Sequence, residues 1–258
     1  NADSIVGNGA SGFHYILNSV TVLSGQDYTF SIFAKVGTNN FFQLNMGGAP
    51  FGSSNYCNFN LSNGTIGSFG NTTSNRFIEK LGDGWYRIGF TATTLSGGSA
   101  NFFPMLITSA TSSFLETNTL DTSIQIYGAM LEQSSFPTSY IPTNGTTVTR
   151  SAETANGSGD ADTFNDSEGV LMAEISALDD DSTFRQITIS DGSTSNRVVL
   201  DYGSVNKLRG FYSISGSTGD RLFESNVDIK QLSKAAYKYK DESFSMWVNG
   251  FEIGTSST

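Results

Sequence analysis

The chain is short of the residues that most often carry chemistry. Among its 258 residues there is one cysteine, Cys57, and one histidine, His14. A single cysteine excludes an intrachain disulfide. One Cys and one His leave a Ser-His-Asp triad, a Cys-His dyad and a Cys/His zinc site without support. In "NYCNFNL" the residues Cys57, Phe59 and Leu61 alternate onto one face, which predicts a buried, inert thiol. Charge is scarce too. Charged residues make up 15% of the chain, with 14 Lys and Arg against 24 Asp and Glu, a net charge of −10. That balance argues against DNA, RNA or an anionic membrane as partner, because phosphates call for a basic stripe. No apolar run approaches the ~18 residues of a spanning helix, so no membrane insertion is expected. No secretory leader pattern is visible. The abrupt opening "NADSIVG" and the stop soon after "FSMWVNGFEIGTSST" predict a piece of a longer polypeptide.

What the chain has instead is Gly, Ser, Thr and Asn between aromatic and β-branched runs, with 28 Gly, 20 Phe and 10 Tyr. This mix favours strands and turns over helix. Apolar alternation predicts strands at 13–23, 28–37, 41–48, 82–94, 101–109 and 123–131, with "YCNFNLSNGTIGSF" between them. In "YTFSIFAKVG", Tyr28, Phe30, Ile32 and Ala34 face one way, while Thr29, Ser31, Phe33 and Lys35 face the other. Such strand density is that of a sandwich.

Two of the four prolines, Pro137 and Pro142, then follow in "GAMLEQSSFPTSYIPTNGTTVTR". Proline cannot donate to a sheet ladder and biases the residue before it toward extended backbone. This stretch, anchored by Phe136, Tyr140 and Ile141, is predicted to leave the first domain while packed along its surface. Residues 143–166 are polar, so the organisation reads as a first domain at 1–148, a linker at 149–167 and a second domain at 168–258. The second region restarts with predicted strands at 168–178, 184–192, 196–203, 208–216 and 223–230. A hairpin region follows at 233–255, turning at Asn249-Gly250. One helical turn is predicted within "DIKQLSKAAYKY".

The ordered set "YTFSIFAKVG", "FFQLNM", "NFNLSNGTIGS", "LGDGWYRIGFT" and "IQIYGAMLEQSSFPTSYIPT" resembles the jelly-roll, carbohydrate-binding-like modules of bacteriophage tail-fibre and other virion structural proteins. The closing "GAMLEQ…FPTSYIPT…TVTR" is its most specific element. In the second region, "FNDSEGVLMAEIS", "ITISDGSTSNRVVL" and "SFSMWVNGFEIGT" resemble a laminin-G-like, concanavalin-type sandwich that stops before its final strands. The fold expected is therefore all-β, with two antiparallel β-sandwich (jelly-roll) domains in tandem. The resemblance implies a noncatalytic module on a virion surface, in a tail fibre, head fibre or decoration protein. It would face host-surface glycans, contact other virion proteins and form homo-oligomers such as trimers. Two alternatives remain open: an assembly piece without a ligand, and a polysaccharide-degrading enzyme or its accessory domain. Fold alone does not choose among them.

Sugars are held by amides and guanidinium groups for their hydroxyls and by aromatic faces for their C–H surfaces. Gln43, Asn45, Tyr56, Asn58, Asn60, Trp85 and Arg87 occupy outward positions of first-domain strands, and on adjacent strands of one sheet they would form such a floor. Asp201, Tyr202, Arg209 and Tyr212 are the second-domain candidates. Asp160, Asp162 and Asp166 have spacing suggestive of calcium, yet "DADTFNDSEG" lacks the glycine and the distal glutamate of an EF-hand loop, which favours a solvated linker. No other cofactor is implied. Sandwich glycanases need paired carboxylates in one cleft, and Glu79, Glu116 and Glu132 are isolated in sequence, so no catalytic residue is assigned.

Overall fold

Alternating apolar residues become strands throughout this chain. The computed structural model describes residues 2–52, 54–143, 145–149, 159, 160, 162–165 and 167–257. It divides into two compact units, Asn1–Thr149 and Arg150–Thr258. Each unit holds two antiparallel sheets that fit a β-sandwich.

The first unit contains β1 (Asp3–Val6), β2 (Asn18–Val22), β3 (Asp27–Val36), β4 (Phe41–Gly47), β5 (Asn55–Asn60), β6 (Thr65–Phe69), β7 (Thr73–Lys80), β8 (Trp85–Thr93), β9 (Gly98–Leu106) and β10 (Ser123–Glu132). One sheet runs β1-β10-β3-β8-β7 and the other β2-β9-β4-β5-β6. Between them lies a core that includes Phe30, Ile32, Ile88 and Phe90 from the first sheet and Phe42, Leu44 and Phe59 from the second. Each such side chain contributes about 1.5–3 kcal/mol by leaving water. The strands β1 and β7 carry little apolar alternation and were not expected from sequence. In "FHYILNSVTVL" only Asn18–Val22 is regular strand, and Tyr15 adds a single bridge to Met105.

The second unit contains β11 (Glu168–Ile175), β12 (Arg185–Ser190), β13 (Arg197–Ser204), β14 (Lys207–Ser213), β15 (Leu222–Asn226), β16 (Ser233–Lys240), β17 (Phe244–Val248) and β18 (Phe251–Ser256). Its sheets run β11-β16-β17-β18 and β12-β13-β14-β15. Leu171, Leu200, Leu208, Tyr237, Phe244 and Met246 belong to the core between them. Of the helical turn expected in "DIKQLSKAAYKY", a single hydrogen-bonded turn is present, Gln231 N–H donating to Asp228 O at 3.0 Å, and no helix forms because the stretch leads into β16. Ser233, Ala235, Tyr237 and Tyr239 are buried while Lys234 and Lys240 are exposed, a period of two that selects a strand.

Candidate functional site

The predicted sugar-binding floor does not exist as one surface. Gln43, Asn45, Tyr56, Asn58 and Asn60 lie on β4 and β5, whereas Trp85 and Arg87 lie on β8 in the other sheet. The two groups therefore occupy opposite outer faces of the first sandwich.

On the β4–β5 side, facing away from the core does not mean facing water. Gln43, Asn45 and Asn58 are each 0% exposed. The connection from Ile107 to Asn118 lies against Gln43 and Asn58. The Asn58 amide donates to the carbonyls of Ser112 (2.7 Å) and Ala110 (3.2 Å), and its oxygen accepts from Gln43 Nε2 at 2.7 Å. Gln43 also donates to Ser113 O at 3.0 Å, and Asn45 donates to Phe103 O at 3.3 Å. The Tyr56 ring packs on Phe114 with centroids 5.7 Å apart, and Asn60 Oδ1 accepts from the Ser62 backbone and hydroxyl in a tight turn. Glu116 closes the cover by accepting from Thr108 N–H, the Thr108 hydroxyl and the Ser112 hydroxyl. Gln43 and Asn58 thereby pair carbonyls of the buried loop, and Asn45 pairs one of β9, while the Gln43 and Asn45 side-chain oxygens are buried without a hydrogen-bond partner. These amides are unavailable to a ligand.

Residues after β10 cover part of the opposite outer face in a similar way. The hydroxyls of Thr29 and Thr91 donate to the carbonyls of Ser134 and Ser135, and Asn75 Nδ2 also donates to Ser135 O. Thr138 folds back onto Glu132, donating its N–H to the carboxylate. The exit segment thus runs along the sheet, held largely through its own carbonyls. Arg87 belongs to this attachment. Its guanidinium donates to Thr138 O at 2.5 Å and Ser31 Oγ at 3.2 Å, and it sits 5.6 Å from the Phe33 ring centroid. Burial lowers the Arg87 pKa, while Glu132 and Glu79 oppose that shift. Arg87 is therefore a pin for the exit segment, held through Nη2, with its Nε buried and without a hydrogen-bond partner.

The rest of that face stays open. Across the strands, Gln125, Lys35 and Trp85 form one row, and Tyr127, Phe33 and Arg87 form the next. All point away from the core, since their neighbours Ala34, Tyr86 and Ile124 point in. Tyr140 of the exit segment stands against the second row, its ring 5.3 Å from Tyr127 and 6.0 Å from Phe33. Gly128 makes room for it: this residue has φ of 57° at a bulge in β10, and a Cβ there would meet Tyr140 Cε2 at 2.9 Å. Burial first, then the neighbouring Tyr127, raise the Tyr140 pKa. Gln125 and Tyr127 are exposed, Lys35 and Trp85 half-buried. Apart from Trp85 and Arg87, the members of this surface were not selected from sequence. Their outward parity was visible, but their adjacency requires β10 to pair with β3 about 90 residues away and β3 to pair with β8 about 50 residues or more away.

In the second domain the predicted quartet also splits. Asp201 and Arg209 are cross-strand neighbours on one face and form a bidentate pair, with Nε–Oδ1 and Nη2–Oδ2 both at 2.7 Å. The hydrogen bond to Asp201 raises the Arg209 pKa. Tyr202 and Tyr212 point to the opposite face. Tyr202 is in the core, and Tyr212 stacks on Tyr239 and Phe244 with centroids 5.8 and 5.5 Å apart. The pair satisfies itself and the tyrosines pack, so the four do not form a site. Of the calcium candidates, the Asp160 carboxylate accepts from Asp162 N, Thr163 N and the Thr163 hydroxyl, which lowers its pKa, and Asp166 lies outside the described residues. Among the described residues, no three His, Cys, Asp or Glu side chains gather as a metal site. Among the described residues, no helix is long and apolar enough to cross a membrane. In comparison with known proteins, no family model and no curated protein matches the chain.

Proposed function

We propose that the chain is a noncatalytic, glycan-facing module of a bacteriophage virion, from a tail fibre, head fibre or decoration protein. In this reading the open end of the β10-β3-β8 face contacts sugar. The observation that carries it is the row Gln125–Lys35–Trp85 beside Tyr127: an amide, an ammonium and two rings on a paired sheet. This is the chemistry that saccharides need, with rings against C–H faces and donors for hydroxyls. The first unit's strand orders, β1-β10-β3-β8 beside β2-β9-β4-β5, support a jelly roll, in which two four-stranded sheets exchange consecutive strands. The carboxylates weighed for catalysis support a noncatalytic role. Glu116 and Glu132 accept hydrogen bonds from their own loops, and Glu79 stands opposite Arg87.

A glycan array followed by titration calorimetry tests the reading. Single neutral hydrogen bonds add only about 1 kcal/mol, so weak binding enhanced by multivalent display is expected. Trp85→Ala and Lys35→Ala should each weaken it about tenfold, while Asn45→Ser should not. The proposal fails if no glycan is bound, or if these two variants bind as the parent does. A purely structural role in assembly is the second reading, favoured by an apolar, uncharged edge on the first domain. A map of an assembled particle in which neighbouring subunits bury the Trp85 face would select it.

A further inference from the structure

Two strands of the first unit end its sheets, β1 in one and β2 in the other. Between Ser4 and Gln26 the sequence has no Lys, Arg, Asp or Glu, in a chain of net charge −10. This stretch includes all of β2 and all of β1 but Asp3. Soluble proteins usually protect an edge with charge, proline or a covering loop. Here the exposed side chains are uncharged, and several are large and apolar: Phe13 is 48% exposed, Tyr15 43%, Ile16 52%, Leu17 44% and Val20 37%. Val6, Phe13, Tyr15 and Ile16 also line a groove of about 430 Å³ along β1. Contiguous exposed apolar patches, unlike scattered single apolar residues, mark interaction surfaces on soluble proteins.

The backbone of β2 is also open on one side. Ile16 N–H donates to Pro104 O, and β2 pairs with β9 in unbroken antiparallel register, Asn18 with Phe102 and Val20 with Ala100. Antiparallel alternation therefore turns Ser19 and Thr21 away from β9, with their N–H and C=O groups at the free edge.

We infer that this edge is the contact between two copies of the chain, joined by antiparallel pairing of β2 with β2 about a two-fold axis at Val20. The geometry is self-complementary. Ser19 of one copy meets Thr21 of the other and exchanges two hydrogen bonds, the symmetric pair does the same, and Val20 meets its own counterpart. Charge selects a second copy as the occupant. Two chains of net charge −10 repel over most of their surfaces and approach best where charge is absent. The flanking apolar side chains then extend the contact toward the ~800 Å² per partner of a stable interface.

Cysteine cross-linking with sedimentation equilibrium decides the matter. Counterparts on the axis form a non-hydrogen-bonded pair with Cα atoms about 4.5 Å apart, within disulfide reach. Val20→Cys should give a covalent dimer on mild oxidation, whereas the parent, whose Cys57 is buried, should not. Thr21→Pro removes only the outward N–H, a change an edge strand tolerates. It should leave the melting temperature of the dilute protein close to that of Thr21→Val while shifting the dimer to monomer, and Leu17→Lys should do the same. A parent that sediments as a monomer at every concentration overturns the inference. So does a trimer, or a dimer indifferent to Thr21→Pro and Leu17→Lys. Glycan binding through Trp85 is independent of all these outcomes.

Discussion

At the scale of single residues, polar side chains in this protein are mostly spent on its own backbone. Asn58 is the clearest case, since one amide holds two loop carbonyls and Gln43. Asn58→Ala takes the partner from the Ser112 carbonyl, while Ala110 O keeps the Ser68 N–H and Gln43 keeps Ser113 O, so urea denaturation should show the first domain destabilised by about 1–3 kcal/mol. In the second domain, Asp201 is 2% exposed and depends on Arg209 for compensation. Arg209→Met is expected to cost about 3–5 kcal/mol, with much of the loss recovered in the Asp201→Leu/Arg209→Met double variant, because the uncompensated charge is then gone. Cys57 provides a pH signature. Burial pushes its thiol from 9.0 up to about 12, with Arg76 opposing slightly. A raised pKa makes the native state the weaker acid, so this contribution is intact below the unfolded pKa and is lost as pH rises from about 9 toward 12. In that window the parent should lose stability more steeply than Cys57→Ala by up to ~1.4 kcal/mol per pH unit. Equal slopes would show that the thiol is not desolvated. Native Cys57 should also resist alkylation at pH 8 until the protein unfolds.

At the scale of elements, the exit segment after β10 decides which part of the outer sheet face is open. Gly128 sets its seat, with positive φ and a Cβ path blocked by Tyr140 and Phe33. Gly128→Ala combines backbone strain with displacement of Tyr140, and a loss of about 1–3 kcal/mol in thermal unfolding is expected. An unchanged melting temperature would mean that Tyr140 does not dock there. This element also marks how far the sequence could be read. Pro137 and Pro142 beside Phe136 and Ile141 pointed to an extended exit along the surface, because proline acts locally. The alternation in "YTFSIFAKV" and "WYRIGFT" located β3 and β8 and their core faces for the same reason. Where Gln43 and Asn58 end up was not legible. Alternation separates core-facing from outward positions, but whether a loop some 50 residues away covers the outward side depends on non-local packing. β7 escaped notice because "TSNRFIEK" carries few apolar residues and is interrupted by a bulge between Ser74 and Phe77.

At the scale of the whole molecule, two cores are built from separate stretches of chain, with β1 to β10 enclosing one and β11 to β18 the other. Among the described residues, each sheet is built from strands of one unit alone. Cooperativity should follow that division, because a domain unfolds as one unit when its buried contacts are its own. Calorimetry of the whole chain is expected to resolve two transitions. Asn58→Ala should shift one of them and Arg209→Met the other, each leaving its counterpart within about 1 °C, since the two residues serve separate cores and share no partner. Residues 1–149 expressed alone should melt at the temperature of the Asn58-sensitive transition and, by the proposed function, retain the glycan affinity of the whole chain. A single transition moved by both substitutions would mean that the units are coupled. Function could then not be assigned to the Trp85 face of the first sandwich without the second.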